Sequence, residues 1–181
     1  MTRSERTLPD IACEPGGVLL IGINPAPDSV AAGHYYQGRH GRRLWVRLER
    51  LGLLEASDPG REDDAFQRAG NGLTDLVKRP SRSAADLSRD ELAGGLDALR
   101  KKVRAWMPGL ILFAYRPPAE ALLADKAIEP GRGPDFDGVP TFLLTSPYAP
   151  RESTDQVDRQ LRALLSRLTR KRRSTDDPDG P

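Results

Sequence analysis

The sequence predicts a three-layer α/β/α sandwich around a mainly parallel central sheet. Short apolar runs alternate along the chain with segments of helical apolar spacing, and the runs end at Gly, Pro or polar residues. With 181 residues, one domain with a sizeable core is expected. Its expected span is 9–169, between a flexible leader, 1–8, and a disordered charged tail, 170–181.

The first strand spans Val18 to Ile23, after the Gly16-Gly17 break, and delivers Asn24 to the sheet's carboxyl edge. Ligands of open α/β sheets bind at that edge, so Asn24 is the first candidate functional residue. Asn24 to Gly41 reads as a long loop rich in Gly and Pro, which marks functional or disordered segments. A helix over about Arg42 to Leu51 follows, with Leu44, Trp45, Leu48 and Leu51 on one face and Gly52 as its stop. A short helix around Ala65 to Arg68, the turn Gly70-Asn71-Gly72 and a short strand Leu73 to Val77 come next, then a basic loop, Lys78 to Ser83.

Ser88 and Glu91 form a capping box for a helix whose stripe is Leu92, Leu96, Leu99, Val103 and Trp106. Pro108-Gly109 ends it, and Leu110 to Ala114 is the next buried strand. Pro117-Pro118 opens a short helix through Leu123. A loop, Asp125 to Gly138, leads to the strand Val139 to Leu144, which ends in Thr145-Ser146-Pro147-Tyr148-Ala149-Pro150-Arg151. The last helix is expected from Ser153, capped with Gln156 and buried along Val157, Leu161, Leu164, Leu165 and Leu168.

The composition, 38% hydrophobic and 30% charged with a mean hydropathy of −0.55, fits a soluble globular chain. No apolar run approaches the roughly 18–20 residues of a membrane span, and the polar start does not resemble a secretory signal. The single cysteine, Cys13, excludes an internal disulfide, and a reducing, cytoplasmic setting is expected. A net charge of +2 does not by itself announce a nucleic-acid protein, but 23 of the 28 basic residues are Arg. Arg suits forked phosphate contacts, and Arg-favouring codons yield the same bias. His34 and His40 share a loop without Cys or carboxylate at ligand spacing, so no metal and no cofactor are assigned. The first strand lacks Gly-x-Gly-x-x-Gly, which disfavours a dinucleotide enzyme.

Gly22-Ile23-Asn24-Pro25, then Gly33-His34-Tyr35-Tyr36 and Trp45, resemble the mismatch-specific uracil/thymine DNA glycosylases of the uracil-DNA glycosylase superfamily. Gly72 to Pro80 resembles that family's second conserved stretch, Pro9-Asp10-Ile11 its leader, and the likeness extends from Pro9 to Leu168. The chain departs from the family at Ala26-Pro27, where Gly is usual, and at Ser146 to Arg151, where the family's second loop carries small or apolar residues after Asn-Pro-Ser or Met-Pro-Ser.

The resemblance implies a cofactor-free DNA repair glycosylase that flips out uracil, or another deaminated or mispaired base such as thymine opposite guanine. It would hydrolyse the N-glycosidic bond as a monomer on cytoplasmic, nucleoid-associated DNA, without membrane contact. Single-stranded uracil, deaminated purines, or binding without cleavage are the alternatives. Asn24 takes the family's catalytic position, orienting water at C1′, while Gly22 and the Ile23 backbone hold the base edge. His34 and Ser146 line the pocket and Tyr36 is the stacking aromatic. Asp75 ends a short apolar segment near the pocket, where a carboxylate could orient or activate the water, or could serve as a cap or ion-pair partner. Tyr148, Ala149 and Pro150 form the expected duplex wedge, with Arg151 on phosphate or the orphan base. Arg79 is a candidate phosphate contact, with Arg42, Arg43, Lys78 and Arg82.

Overall fold

The structure, a computed structural model, describes residues 6–124 and 128–175, with side chains described to position 170. Strand β1 (Val18–Gly22) is buried along its whole length, as a strand covered on both faces must be. It pairs in parallel with β2 (Gly72–Asp75) and with β3 (Leu110–Phe113). Strand β4 (Gly131–Phe136) is antiparallel to β5 (Val139–Leu143), which runs parallel to β3, so the sheet order is β2-β1-β3-β5-β4.

Among the described residues, six helices cover this sheet: α1 (Pro27–Ala32), α2 (Gly38–Arg50), α3 (Glu62–Arg68), α4 (Arg89–Trp106), α5 (Arg116–Leu123) and α6 (Arg151–Thr175). Alternating strand residues divide the core in two. Val18, Leu20, Leu110 and Leu112 pack with Trp45 and Leu48 of α2, Phe66 of α3 and Leu161 of α6. Leu19, Ile21, Ile111 and Phe113 pack with Leu99 and Val103 of α4 and Leu122 of α5. This is the expected α/β/α sandwich with a mainly parallel sheet. The Ser88–Glu91 capping box forms at the start of α4 as the spacing indicates.

Several local expectations are corrected. The long loop after Asn24 holds α1, started by Pro27 and ended by Gly33 in the left-handed region (φ 75°), and α2 begins back at Gly38. The loop before β5 contains β4, closed onto β5 by Asp137-Gly138, both at positive φ (47° and 79°), the pair a tight hairpin turn favours. Helix α6 starts at Arg151, where Thr154 N–H already reaches Pro150 C=O, and continues to Thr175 into the stretch expected to be disordered; 176–181 lie outside the described residues. Of the leader, 1–5 lie outside them too, but Leu8 is 1% exposed within the core. Ile11 exchanges two backbone hydrogen bonds with Leu73 (2.9 and 2.8 Å), covering the free edge of β2.

One ion pair ties the helical layer to the sheet's carboxyl edge. Arg47 of α2 donates from Nε and Nη2 to Asp158 Oδ1 of α6 (2.9 and 2.6 Å) and from Nη1 to the Thr145 carbonyl just beyond β5 (3.0 Å). Asp158 is 2% exposed, and Arg50 Nη2 stands 3.6 Å from its other oxygen, Oδ2. Removing one partner of a buried pair costs far more than replacing both. Arg47→Met is therefore expected to lower the unfolding free energy by about 3–5 kcal/mol in urea titration, and Arg47→Met with Asp158→Leu to recover most of that loss.

Candidate active site

The chain leaves β1 for β2 on one side of the sheet and later enters β3 on the other. The carboxyl end of β1 is thus the switch point at which open α/β sheets form their crevice. Asn24 lies two residues past β1, Asp75 ends β2, Tyr115 follows β3, and Thr145-Ser146 follow β5. Four chain segments therefore bring their chemistry to one edge.

The loops after β1 and β2 are laced together. Val77 N–H donates to Ile23 C=O (2.9 Å) and Ser81 N–H to Pro25 C=O (3.3 Å). Asn24 Nδ2 donates to the Arg79 carbonyl (3.0 Å) and to Ser81 Oγ (2.8 Å), and Ser81 Oγ donates onward to Ser83 C=O (2.6 Å). With both amide hydrogens anchored, Asn24 Oδ1 has a set direction and remains an acceptor, which is what orienting a water requires.

Asp75 pairs in register with Gly22, and a Cβ on that glycine would stand 2.2 Å from Asp75 Oδ1 and 3.1 Å from the Tyr36 hydroxyl. Glycine is therefore what lets the carboxylate lie against β1. Burial pushes the Asp75 carboxyl up to about 7, and Asp10 adds to this while Lys78 and Lys102 oppose it. Lys78 and Lys102 are themselves held by Asp10 (2.8 and 2.6 Å), whose carboxylate also accepts from Thr74 Oγ1 (2.9 Å). A buried carboxyl poised near neutrality at a sheet's ligand edge is able to take up and release a proton there.

Tyr36 takes the left-handed conformation (φ 52°), and α2 is built to receive it. A Cβ on Gly41 would come 1.6 Å from the Tyr36 carbonyl, so only glycine admits the turn, and one helical turn later Trp45 meets the Tyr36 ring edge-on at 5.9 Å. Tyr115 packs against the other side of Tyr36 at 6.3 Å and borders a cleft of about 610 Å³ that Ser146 and Pro147 also line. His34 turns to Asp63 of α3 (Nδ1–Oδ1 2.9 Å), and Asp63 also accepts from the Tyr35 and Asp64 N–H groups (2.9 and 3.0 Å). His34 thus anchors the loop that presents Tyr36. His34, Asp63 and Asp64 bring ligand atoms within 4.8 Å of one another, but both Asp63 oxygens are already used.

The segment after β5 is exposed: Ser146, Pro147 and Pro150 face outward, Tyr148 is 75% exposed, and the Arg151 side chain is 95% exposed. The Tyr148 ring meets His40 of α2 edge-on at 6.0 Å, bridging the two loops that flank the crevice. Arg79 is part-exposed, and its guanidinium forks onto Glu91 (2.6 and 3.1 Å) and reaches the Asp86 carbonyl (2.8 Å), joining the loop to α4. Arg42, Arg43 and Arg82 are exposed.

Sequence reading passed over Tyr115, Ser81 and Gly41 as site residues, and weighed His40 only as a metal ligand. Tyr115 had a signal, being an aromatic directly beyond a buried strand at the same edge as Asn24. Gly41 had one in its four-residue spacing to Trp45. Ser81 and His40 had none, because their partners are set by loop packing.

Asp75 carries a stability consequence with a definite sign. The unfolded carboxyl titrates near its ordinary 3.8, whereas the folded one holds its proton to about 7. Folding is thus favoured by the retained proton at low pH, and that contribution is lost as pH rises through 7. Asp75→Asn is expected to raise Tm by roughly 3–10 °C at pH 8, with the gain shrinking toward pH 4, as calorimetry across pH would measure.

Comparison with known proteins adds two findings. The family model described as the uracil DNA glycosylase superfamily matches residues 9–166. A G/U mismatch-specific uracil DNA glycosylase of Schizosaccharomyces pombe is 34% identical over 108 residues, which are 59% of this chain and 33% of that protein. The aligned region thus spans about a third of that relative's length.

Proposed function

Because the chain belongs to the uracil DNA glycosylase superfamily, we propose that it is a monofunctional DNA repair glycosylase that excises uracil, and mispaired thymine more slowly, leaving an abasic site. The observation that carries this reading is the placement of an anchored Asn24 and a buried, near-neutral Asp75 at the ends of adjacent strands. The identity shared with a protein named for acting on G/U mismatches supports uracil as the base.

In this mechanism the glycosidic C1′–N bond breaks first, and the base departs with the electron pair. The sugar becomes oxocarbenium-like, and ionised Asp75 stabilises it. Asn24 Oδ1 orients a water toward C1′; as its oxygen bonds to carbon, one proton passes to Asp75 and on to solvent, while the departing base is protonated. Uracil is a better leaving group than thymine and reacts faster. Tyr36 stacks on the flipped base, which contributes about 1–3 kcal/mol against the cost of extrusion. Tyr148, with Ala149 and Pro150, fills the vacated position in the stack, and Arg151 lies at the backbone. The protein acts as a monomer on duplex DNA in the cytoplasm, at the nucleoid, and the reading calls for no metal or cofactor.

Single-turnover excision from uracil-containing oligonucleotides, read by alkaline cleavage of abasic sites, tests this. Asn24→Ala and Asp75→Ala should each slow excision by about 10²–10⁴-fold. The wild-type rate should rise about tenfold per pH unit below 7 and level off above it, as Asp75 ionises. An unchanged rate in Asp75→Ala removes that residue from the mechanism, and absence of cleavage on every deaminated base overturns the enzymatic reading. Tyr148→Ala is expected to lose about tenfold or more on duplex substrate and less on single strands, where no stack has to be filled.

A further inference from the structure

Two oxygens at the heart of the site are buried without a hydrogen-bond partner among the described residues: the Tyr36 hydroxyl and Asp75 Oδ2. Buried polar atoms are nearly always satisfied, so a pair of exceptions at one place calls for an occupant. The geometry around Gly22 indicates its size. The point where a Cβ would stand is 2.2 Å from Asp75 Oδ1 and 3.1 Å from Tyr36 Oη. Tyr36 Oη therefore lies no farther than two hydrogen-bond lengths of about 2.8 Å each from Asp75 Oδ1, the oxygen on the same carboxyl carbon as the unpartnered Oδ2. A separation within that limit admits one water with polar partners on both sides, the condition a buried water needs.

We propose that Tyr36 Oη and the Asp75 carboxylate share one water beneath Gly22, making Tyr36 a positioning residue that sets the proton affinity of the base. The hydroxyl donates to the water and the water donates to Asp75. The hydroxyl keeps its proton to donate, because burial, with Asp75 nearby, holds its own ionisation well above the ordinary tyrosine range. A donor directed at a carboxylate favours the ionised form. The other charged groups around Asp75 are Lys78 just beyond β2, Asp10 of the N-terminal segment and Lys102 of α4, and the lysines offset burial only in part. Around Tyr36 stand the phenols of Tyr35 and Tyr115 and the Trp45 indole. The consequence for rate rests on the glycosylase reading; the link between the two side chains does not.

Tyr36→Phe separates this from stacking, since the ring stays. The Asp75 carboxyl, assigned by comparison with Asp75→Asn, is titrated by carbon-13 NMR in wild type and in Tyr36→Phe, alongside pH–rate profiles of uracil excision. The expected result is a midpoint raised by about one pH unit, with the acid limb of the rate displaced equally, as loss of a charge-assisted hydrogen bond implies. An unmoved midpoint overturns the proposal, whatever happens to the rate. If wild type excises nothing, the glycosylase reading falls and the NMR midpoint still decides the link. A crystal structure of the wild-type protein gives a reading that does not depend on the variant folding. A water within hydrogen-bond distance of both oxygens supports the proposal, and a direct contact or a dry gap overturns it.

Discussion

The register that places Gly22 opposite Asp75 is the constraint from which the rest of the site follows. It brings two parallel strands to the same level at the carboxyl edge, one ending without a side chain and the other in a carboxylate. The missing Cβ admits the carboxylate into the core, and the depth of burial lifts its proton affinity toward neutrality. Asn24 lies two residues beyond the end of β1, so the same register brings amide and carboxyl to one edge of the sheet. A shift by one residue would turn Asp75 to the opposite face and separate them.

The arrangement opposes the chain's stability, and the surroundings are organised to tolerate it. Ionised Asp75 is a poorly compensated buried charge, and Tyr36 is held in a conformation that a non-glycine residue rarely adopts. Both are countered locally. Asp10, Lys78, Lys102 and Thr74 form a closed network beside β2, and Gly41 and Trp45 of α2 support the Tyr36 backbone and one edge contact of its ring. The Arg47 fork spans α2, α6 and the end of β5, so the segments presenting Tyr36 and Tyr148 share an anchor.

Legibility in the sequence followed the range of the forces involved. Strands β1 and β3, the capped helix α4 and the projection of Asn24 depend on local pattern, and all were readable. Helix α1 and strand β4 also had local signals, Pro27 with Gly33 and the Asp137-Gly138 pair, but these lay inside Gly/Pro-rich stretches that read as loop. Asp75 was recognisable as a candidate, yet its burial could not be read, because it arises from pairing with a residue 53 positions away. Arg79 and His34 show the converse. Their residue types suggested a phosphate contact and a pocket wall, and gave no sign of the partners that packing supplies, Glu91 and Asp63.

The short antiparallel bridge between Ile11 and Leu73 has a practical side. Residues ahead of the first strand resemble dispensable leader, and trimming a gene to begin at Gly16 would look harmless. That cut would remove Asp10, free two lysines beside Asp75 and open the β2 edge at once. Protein engineers choosing where to fuse a tag or start an expression clone would thus be retuning the buried Asp75 carboxyl without touching any residue of the crevice.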